Sequence, residues 1–133
     1  MKKITEALIM ISLFMFFFFN LFTNAYALEK DYQIPWCKSH GGFYSGAPVT
    51  VRDPFTGKVE GYVDCITATH AIEVDFTCKW KEAPTQAMWY AMNTGKRAGI
   101  LLIKTDKCPT GEKKLMDYIN HYNLPIDVWT VNE

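Results

Sequence analysis

The chain has 133 residues, with 14 basic and 14 acidic side chains, so its formal net charge is zero. Removing a leader over residues 1–27 takes away Lys2, Lys3 and Glu6 and leaves twelve basic and thirteen acidic side chains on 106 residues. That length suits one domain and leaves no room for a second, and the near-neutral balance excludes a protein that coats nucleic acid by bulk charge.

Residues 1–27 read as a secretory signal peptide. Lys2 and Lys3 form a short basic start, 7–22 is apolar apart from Ser12 and Asn20, and Ala25-Tyr26-Ala27 is a small-x-small cleavage site. The alternative is an uncleaved anchor over 7–23, because about 17 apolar residues nearly span a bilayer. The expectation is export to the periplasm or the medium, with no stable membrane association once the leader is removed. Cys37, Cys65, Cys78 and Cys108 all follow the leader, and an even count in an exported chain favours disulfides. Three pairings are open, with buried free thiols as the alternative, and the lack of any Cys-x-x-Cys spacing argues against structural zinc.

Residues 29–40 carry Tyr32, Ile34, Trp36 and Cys37 and read as a short helix or an irregular segment, ended by Gly41-Gly42. A first strand follows over 43–51, bent or at an edge because Gly46 and Pro48 lie within it. The run Asp53-Pro54-Phe55-Thr56-Gly57 is a turn, which calls for a hairpin partner over 59–66. A third strand over 70–76 places Ile72, Val74 and Phe76 on a core face and Glu73 and Asp75 on an acidic one. The same alternation in 59–66 separates Tyr62 and Asp64 from Val63 and Cys65, so Asp64 can join that acidic face.

Residues 81–93 form a helix by the spacing of Ala83, Ala87, Tyr90 and Ala91, with Pro84 tolerated in the first turn and Gly95 as the stop. The continuous apolar run 98–103 is a buried strand. A second helix over 111–123 shows Leu115, Tyr118, Ile119 and Tyr122 on one side, Pro125 ends it, and 126–131 is a last strand. The order strand, strand, strand, helix, strand, helix, strand is an α/β arrangement, or α+β-like: a mixed sheet with helices packed on it.

Chemistry concentrates between Gly61 and Tyr90. Asp64 and Glu73 on neighbouring strands converge if they share a face and an end, with Asp75 as a third ligand, and Mg²⁺ or Mn²⁺ takes such hard oxygen donors. Phosphodiester hydrolysis also uses a cation near the scissile phosphate, and Lys79 at the strand end can reach back across the site. The set Gly61-x-x-Asp64, the acidic pair led by Glu73, and Gln86-x-x-x-Tyr90 on the next helix resembles the PD-(D/E)xK nuclease superfamily, specifically its RecB-like branch. The resemblance covers about 42–103. It implies a restriction-endonuclease-like core, metal binding by Asp64 and Glu73, and support of the site by Gln86 and Tyr90. The chain departs from that pattern where Asp75 fills the lysine position, which leaves Lys79 as a migrated lysine.

Each assignment has a plainer counterpart: Glu73 and Asp75 as a solvated strand face, Lys79 and Lys81 as a solvated helix start, Gln86 and Tyr90 as packing residues. His70 shares parity with Ile72 and Val74 and is expected to pack at the end of the core face. His40 is assigned a place near the mouth of the site only as a lesser alternative, and His121 is helix surface. Lys96, Arg97, Lys104, Lys107, Lys113 and Lys114 form either a basic rim for a phosphate backbone or scattered solvated side chains. The expected function is an exported, metal-dependent nuclease acting on DNA or RNA. The alternatives are a nuclease-like binding module that has lost catalysis and a disulfide-stapled domain with no catalysis.

Overall fold

A computed structural model describes residues 27–133, so the expected leader lies outside the described residues except for Ala27. Helix α1 spans Glu29–Ser39 and resolves the open reading of that segment. Glu29 and Asp31 lie in its first turn, where acidic side chains favour the positive end of the helix dipole, and Asp31 Oδ2 accepts a hydrogen bond from the Leu28 amide at 2.9 Å.

The strand expected over 43–51 is interrupted. Phe43 makes only an isolated antiparallel bridge to Ile66, Ala47–Val49 is a single 3₁₀ turn, and strand β1 is confined to Thr50–Arg52. Gly46 at φ 92° and Pro48, which lacks a backbone donor, account for the break. The hairpin partner is present as β2, Val59–Tyr62, paired antiparallel with β1 through Thr50↔Tyr62 and Val51↔Gly61. Its turn is held by Asp53 Oδ1, which accepts from the Phe55 and Thr56 amides at 2.6 and 2.8 Å.

The remainder of the expected 59–66 strand belongs to a different sheet. The chain leaves the hairpin at Val63, whose amide bonds Val49 O, and resumes as β3, Cys65–Ile66. Asp64 sits at this junction, its backbone outside both sheets. Strand β4, His70–Phe76, pairs antiparallel with β3, and β5, Arg97–Lys104, and β6, Ile126–Asn132, add in parallel, giving the order β3-β4-β5-β6. Helices α2, Ala83–Thr94, and α3, Gly111–Tyr122, are the crossovers. The described residues therefore form a mixed α/β domain of three helices, a four-stranded mixed sheet and a two-stranded sheet.

Strand alternation distributes the core between the two faces of the large sheet. Ala98, Ile100 and Leu102 join Ala83 and Ala87 of α2 and Leu115 and Ile119 of α3 on one face. Ile72, Val74, Leu101 and Ile103 face α1 on the other, with Cys37, Cys65 and the half-buried Trp36 and Trp129. Because β5 is covered on both sides, all six residues from Ala98 to Ile103 are buried, as a central parallel strand requires. Two residues expected on the inner side of α3 differ: Leu115 and Ile119 are buried, but Tyr118 and Tyr122 are exposed, because the contact stripe of a short crossover helix is narrower than its apolar pattern. The cysteines form Cys37–Cys65 and Cys78–Cys108. No helix among the described residues is long and apolar enough to cross a membrane.

Candidate active site

The face of β4 opposite Ile72 and Val74 carries Ala71, Glu73 and Asp75, and α2 lies over it. Glu73 is 5% exposed and Asp75 1%, which corrects the reading of these acids as a solvated face. Carboxyl groups this deep need partners, because burying an unpaired charge is prohibitively costly.

Asp64 meets Glu73 from the sheet junction. Asp64 Oδ2 accepts a hydrogen bond from the Val74 amide at 2.8 Å, which anchors the loop to β4, and the Asp64 and Glu73 side chains are hydrogen-bonded to one another. Two carboxyls this close do not readily ionise together. Burial, then the charges of Asp64 and Asp75, push the Glu73 carboxyl up to about 9. Burial also raises Asp64, opposed by the Val74 amide. From α2, the buried Tyr90 reaches the same carboxyl, and its hydroxyl lies 3.3 Å from Gln86 Oε1, to which it donates. Burial and the neighbouring acids, Glu73 first, raise the phenol further above its ordinary value. Gln86 and Tyr90 are one helical turn apart, so both project from the same face of α2.

Asp75 lies in the same buried layer but turns toward the strand end. Its Oδ1 is 3.1 Å from Lys79 Nζ, while its Oδ2 is buried without a hydrogen-bond partner. Burial raises Asp75 to about 7 despite the lysine. Lys79 is not at the start of α2 as expected but in the 3₁₀ turn Thr77–Lys79 that precedes it. There its ammonium also lies 2.6 Å from Glu29 Oε1, the strongest of the contacts that raise its pKa.

No protein-family model matches the chain, and no curated protein and no solved structure matches it. The likeness to PD-(D/E)xK nucleases therefore stands on these residues alone. Asp64, Glu73, Gln86 and Tyr90 form one connected group, with Asp75 and Lys79 adjoining it.

Glu29 and Gln33 of α1 are members of this neighbourhood that the motif reading missed. Gln33 Nε2 donates to the Asp64 carbonyl at 2.5 Å. Positions 29, 33 and 37 share a helical face, and Cys37 is joined to Cys65, the residue after Asp64, but that pairing was one of three open to the sequence, so the spacing alone did not point to the site.

The histidines lie elsewhere. His70 Nε2 is 2.7 Å from Asp127 Oδ2, and its ring meets Trp129 edge-on. His40 stacks on Trp36 at 3.8 Å and lines, with His70 and Trp129, a separate cavity of about 210 Å³. His121 is exposed on α3. The proposed basic rim is largely committed to local partners: Arg97 pairs with Asp127, Lys104 with Glu112, Lys113 with Asp117, and Lys96 donates to Ala68 O.

Among the described residues no group of three or more His, Cys, Asp or Glu side chains is arranged to hold a metal ion jointly. The Asp64–Glu73 pair nonetheless suits Mg²⁺, which takes one or two carboxylates and keeps several waters. Its donors are hard oxygens, and burial beside the charges of Asp64 and Asp75, which raises the Glu73 carboxyl, makes this a place where positive charge is favoured.

Proposed function

We propose that the protein is an exported, Mg²⁺-dependent nuclease with a restriction-endonuclease-like core of the PD-(D/E)xK type, hydrolysing phosphodiester bonds in DNA or RNA. One observation carries this reading: Asp64, Glu73 and Tyr90, drawn from a sheet junction, a strand and a helix, meet in one polar chain that runs from the buried Glu73 out to the exposed Gln86, beside the Asp75–Lys79 pair. A purely structural need would be met better by apolar side chains, since buried acids that share a proton contribute little to stability. Displaced carboxyl groups concentrated in this way are a mark of functional sites.

In this reading Asp64 and Glu73 would hold Mg²⁺, or Mn²⁺ in its place. Bound there, the ion would supply Lewis-acid polarisation of a phosphoryl oxygen and activation of the attacking water. The Val74 amide fixes Asp64, and Tyr90, braced by Gln86, fixes the Glu73 carboxyl, so the pair is oriented before any ligand arrives. Glu73 would have to be deprotonated to act as a ligand, as metal-binding side chains must. Lys79, held by Asp75, supplies the cation that stabilises charge on the phosphate.

The second reading is a nuclease-like module without catalysis. The observation that favours it is Asp75 in the family's lysine position, with Lys79 committed to two carboxylates. The deciding experiment incubates the purified protein with plasmid, single-stranded DNA and RNA in Mg²⁺, Mn²⁺ or EDTA. Metal-dependent cleavage abolished by Asp64→Ala and by Glu73→Ala is expected. Metal-dependent binding without cleavage would support the second reading, and equal cleavage by both variants would overturn the first.

A further inference from the structure

Helix α1 is fastened to the candidate site along one face. Residues 29, 33 and 37 are one turn apart, so their side chains fall on a single stripe. Cys37 is disulfide-bonded to Cys65, Gln33 donates to the carbonyl of Asp64, and Glu29 Oε1 sits 2.6 Å from Lys79 Nζ. The covalent end of the stripe thus fixes the helix against the residue after Asp64, and its first turn sets a carboxylate over the lysine.

The two partners of Lys79 differ in kind. Asp75 has 2% of its side chain exposed and cannot leave, whereas Glu29 is 34% exposed and Lys79 is 52% exposed. On the Glu29 side of the pair lies a cavity of about 520 Å³, lined by Ala27, Leu28, Glu29, Lys30, Gln33 and Phe76. A solvent-exposed ion pair contributes little to stability, so an incoming anion can replace the Glu29 half at little cost. A phosphate oxygen makes the same charge-assisted contact with an ammonium that a carboxylate oxygen makes.

We propose that Glu29 is a phosphate placeholder, its carboxylate occupying on Lys79 the position taken by a phosphodiester oxygen when a nucleic-acid strand reaches this exposed ammonium, while Asp75 keeps hold of it. The inference rests on the nuclease reading of the neighbouring site. Glu29 acts through Lys79 and is a positioning residue. Its removal spares the substrate a competitor and a repelling charge.

The test compares the exported protein with its Glu29→Gln variant on a short fluorescein-labelled single strand, as DNA and as RNA. KM comes from cleavage in Mg²⁺, and Kd from fluorescence anisotropy in EDTA on a Glu73→Gln background. Glu29→Gln should lower KM and Kd about two- to fivefold, the range set by a displaced exposed ion pair. The gain should vanish when Lys79→Ala is present, a dependence that a scaffolding role would not produce. Glu29→Ala must change KM in the same direction, which guards against a defect peculiar to glutamine. A fall in kcat at constant KM, or a rise in KM, would overturn the proposal and mark Glu29 as a ligand or a scaffold. Cleavage that depends on Asp64 and Glu73 with Kd untouched by Glu29→Gln sinks this inference alone. Tighter oligonucleotide binding by Glu29→Gln in a protein that never cleaves supports it while removing the catalytic reading.

Discussion

Glu73→Gln offers the sharpest physical test of the site, because it removes one titrating proton and changes little else in shape. The Glu73 carboxyl is 5% exposed, and its folded value of about 9 stands well above its ordinary value of 4.5. With the folded value raised, the native state keeps a proton that the unfolded chain has released. The contribution is therefore complete below about pH 4.5 and is lost as pH climbs toward 9. Within that window each pH unit costs about 1.4 kcal/mol, so the step from pH 6 to pH 8 costs about 3 kcal/mol. That is a large fraction of the roughly 5–15 kcal/mol that stabilises a domain. Asp75, raised to about 7, adds a slope of the same sign that ends earlier. Glutamine stays neutral and can still donate to Asp64, so Glu73→Gln should lose the component that continues to pH 9. The assay is urea unfolding followed by tryptophan fluorescence at pH 6, 7 and 8 in EDTA. Wild type should destabilise more steeply with pH than the variant, by about 1.4 kcal/mol per unit. Mg²⁺ should flatten the wild-type slope and leave the variant's unchanged. Parallel pH profiles for the two proteins in EDTA would refute the reasoning, since the Glu73 proton would then not be retained on folding.

Three further outcomes are expected. Mg²⁺ affinity, measured by calorimetry between pH 6 and pH 8, should rise about tenfold per pH unit, because one proton leaves Glu73 on binding, and buffers of different ionisation enthalpy should count that proton. The double variant Cys37→Ala and Cys65→Ala opens a link of sequence separation 28 and should cost about 3–4 kcal/mol in urea unfolding, with activity falling further than stability because α1 releases Gln33 from Asp64. Gly111→Ala would set its Cβ 2.0 Å from Thr77 O, a backbone atom that cannot yield, so α3 must shift from the turn after β4 and thermal unfolding should show a loss on the order of 1–3 kcal/mol.

The legibility of this chain follows the range of the interactions involved. Alternation along β4 was readable because strand period depends only on the local backbone, and the structure keeps Ile72 and Val74 opposite Glu73 and Asp75. The burial of the acidic face was not readable, since the same alternation serves a solvated face and one roofed by a helix. Only the seating of Ala83, Ala87 and Tyr90 over the sheet distinguishes them. The strand over 43–51 was misjudged in extent because Gly46 and Pro48 act more strongly than the flanking apolar residues. Cysteine pairing was open for the same reason that Glu29 was missed: both depend on where α1 docks, and 29–40 has no clear apolar stripe from which to read its docking face.

The charge inventory around Asp75 sets what Lys79 can do. Asp64, Glu73, Asp75 and Glu29 bring four carboxyl groups to one neighbourhood, and Lys79 is the cation among their contacts. One ammonium cannot neutralise the buried Glu73 and Asp75 together with Asp64 and the half-exposed Glu29, and burial raises Glu73 to about 9 and Asp75 to about 7. A lysine at position 75 would have removed that deficit from within the strand and left the Asp64–Glu73 pair with less claim on a further cation. With aspartate there, the ammonium is held at the strand end, between a buried partner that fixes it and an exposed one that can yield. The arrangement thus leaves the carboxylate pair short of positive charge and keeps half of the lysine side chain open to solvent, the two conditions that a metal ion and a phosphate would meet together.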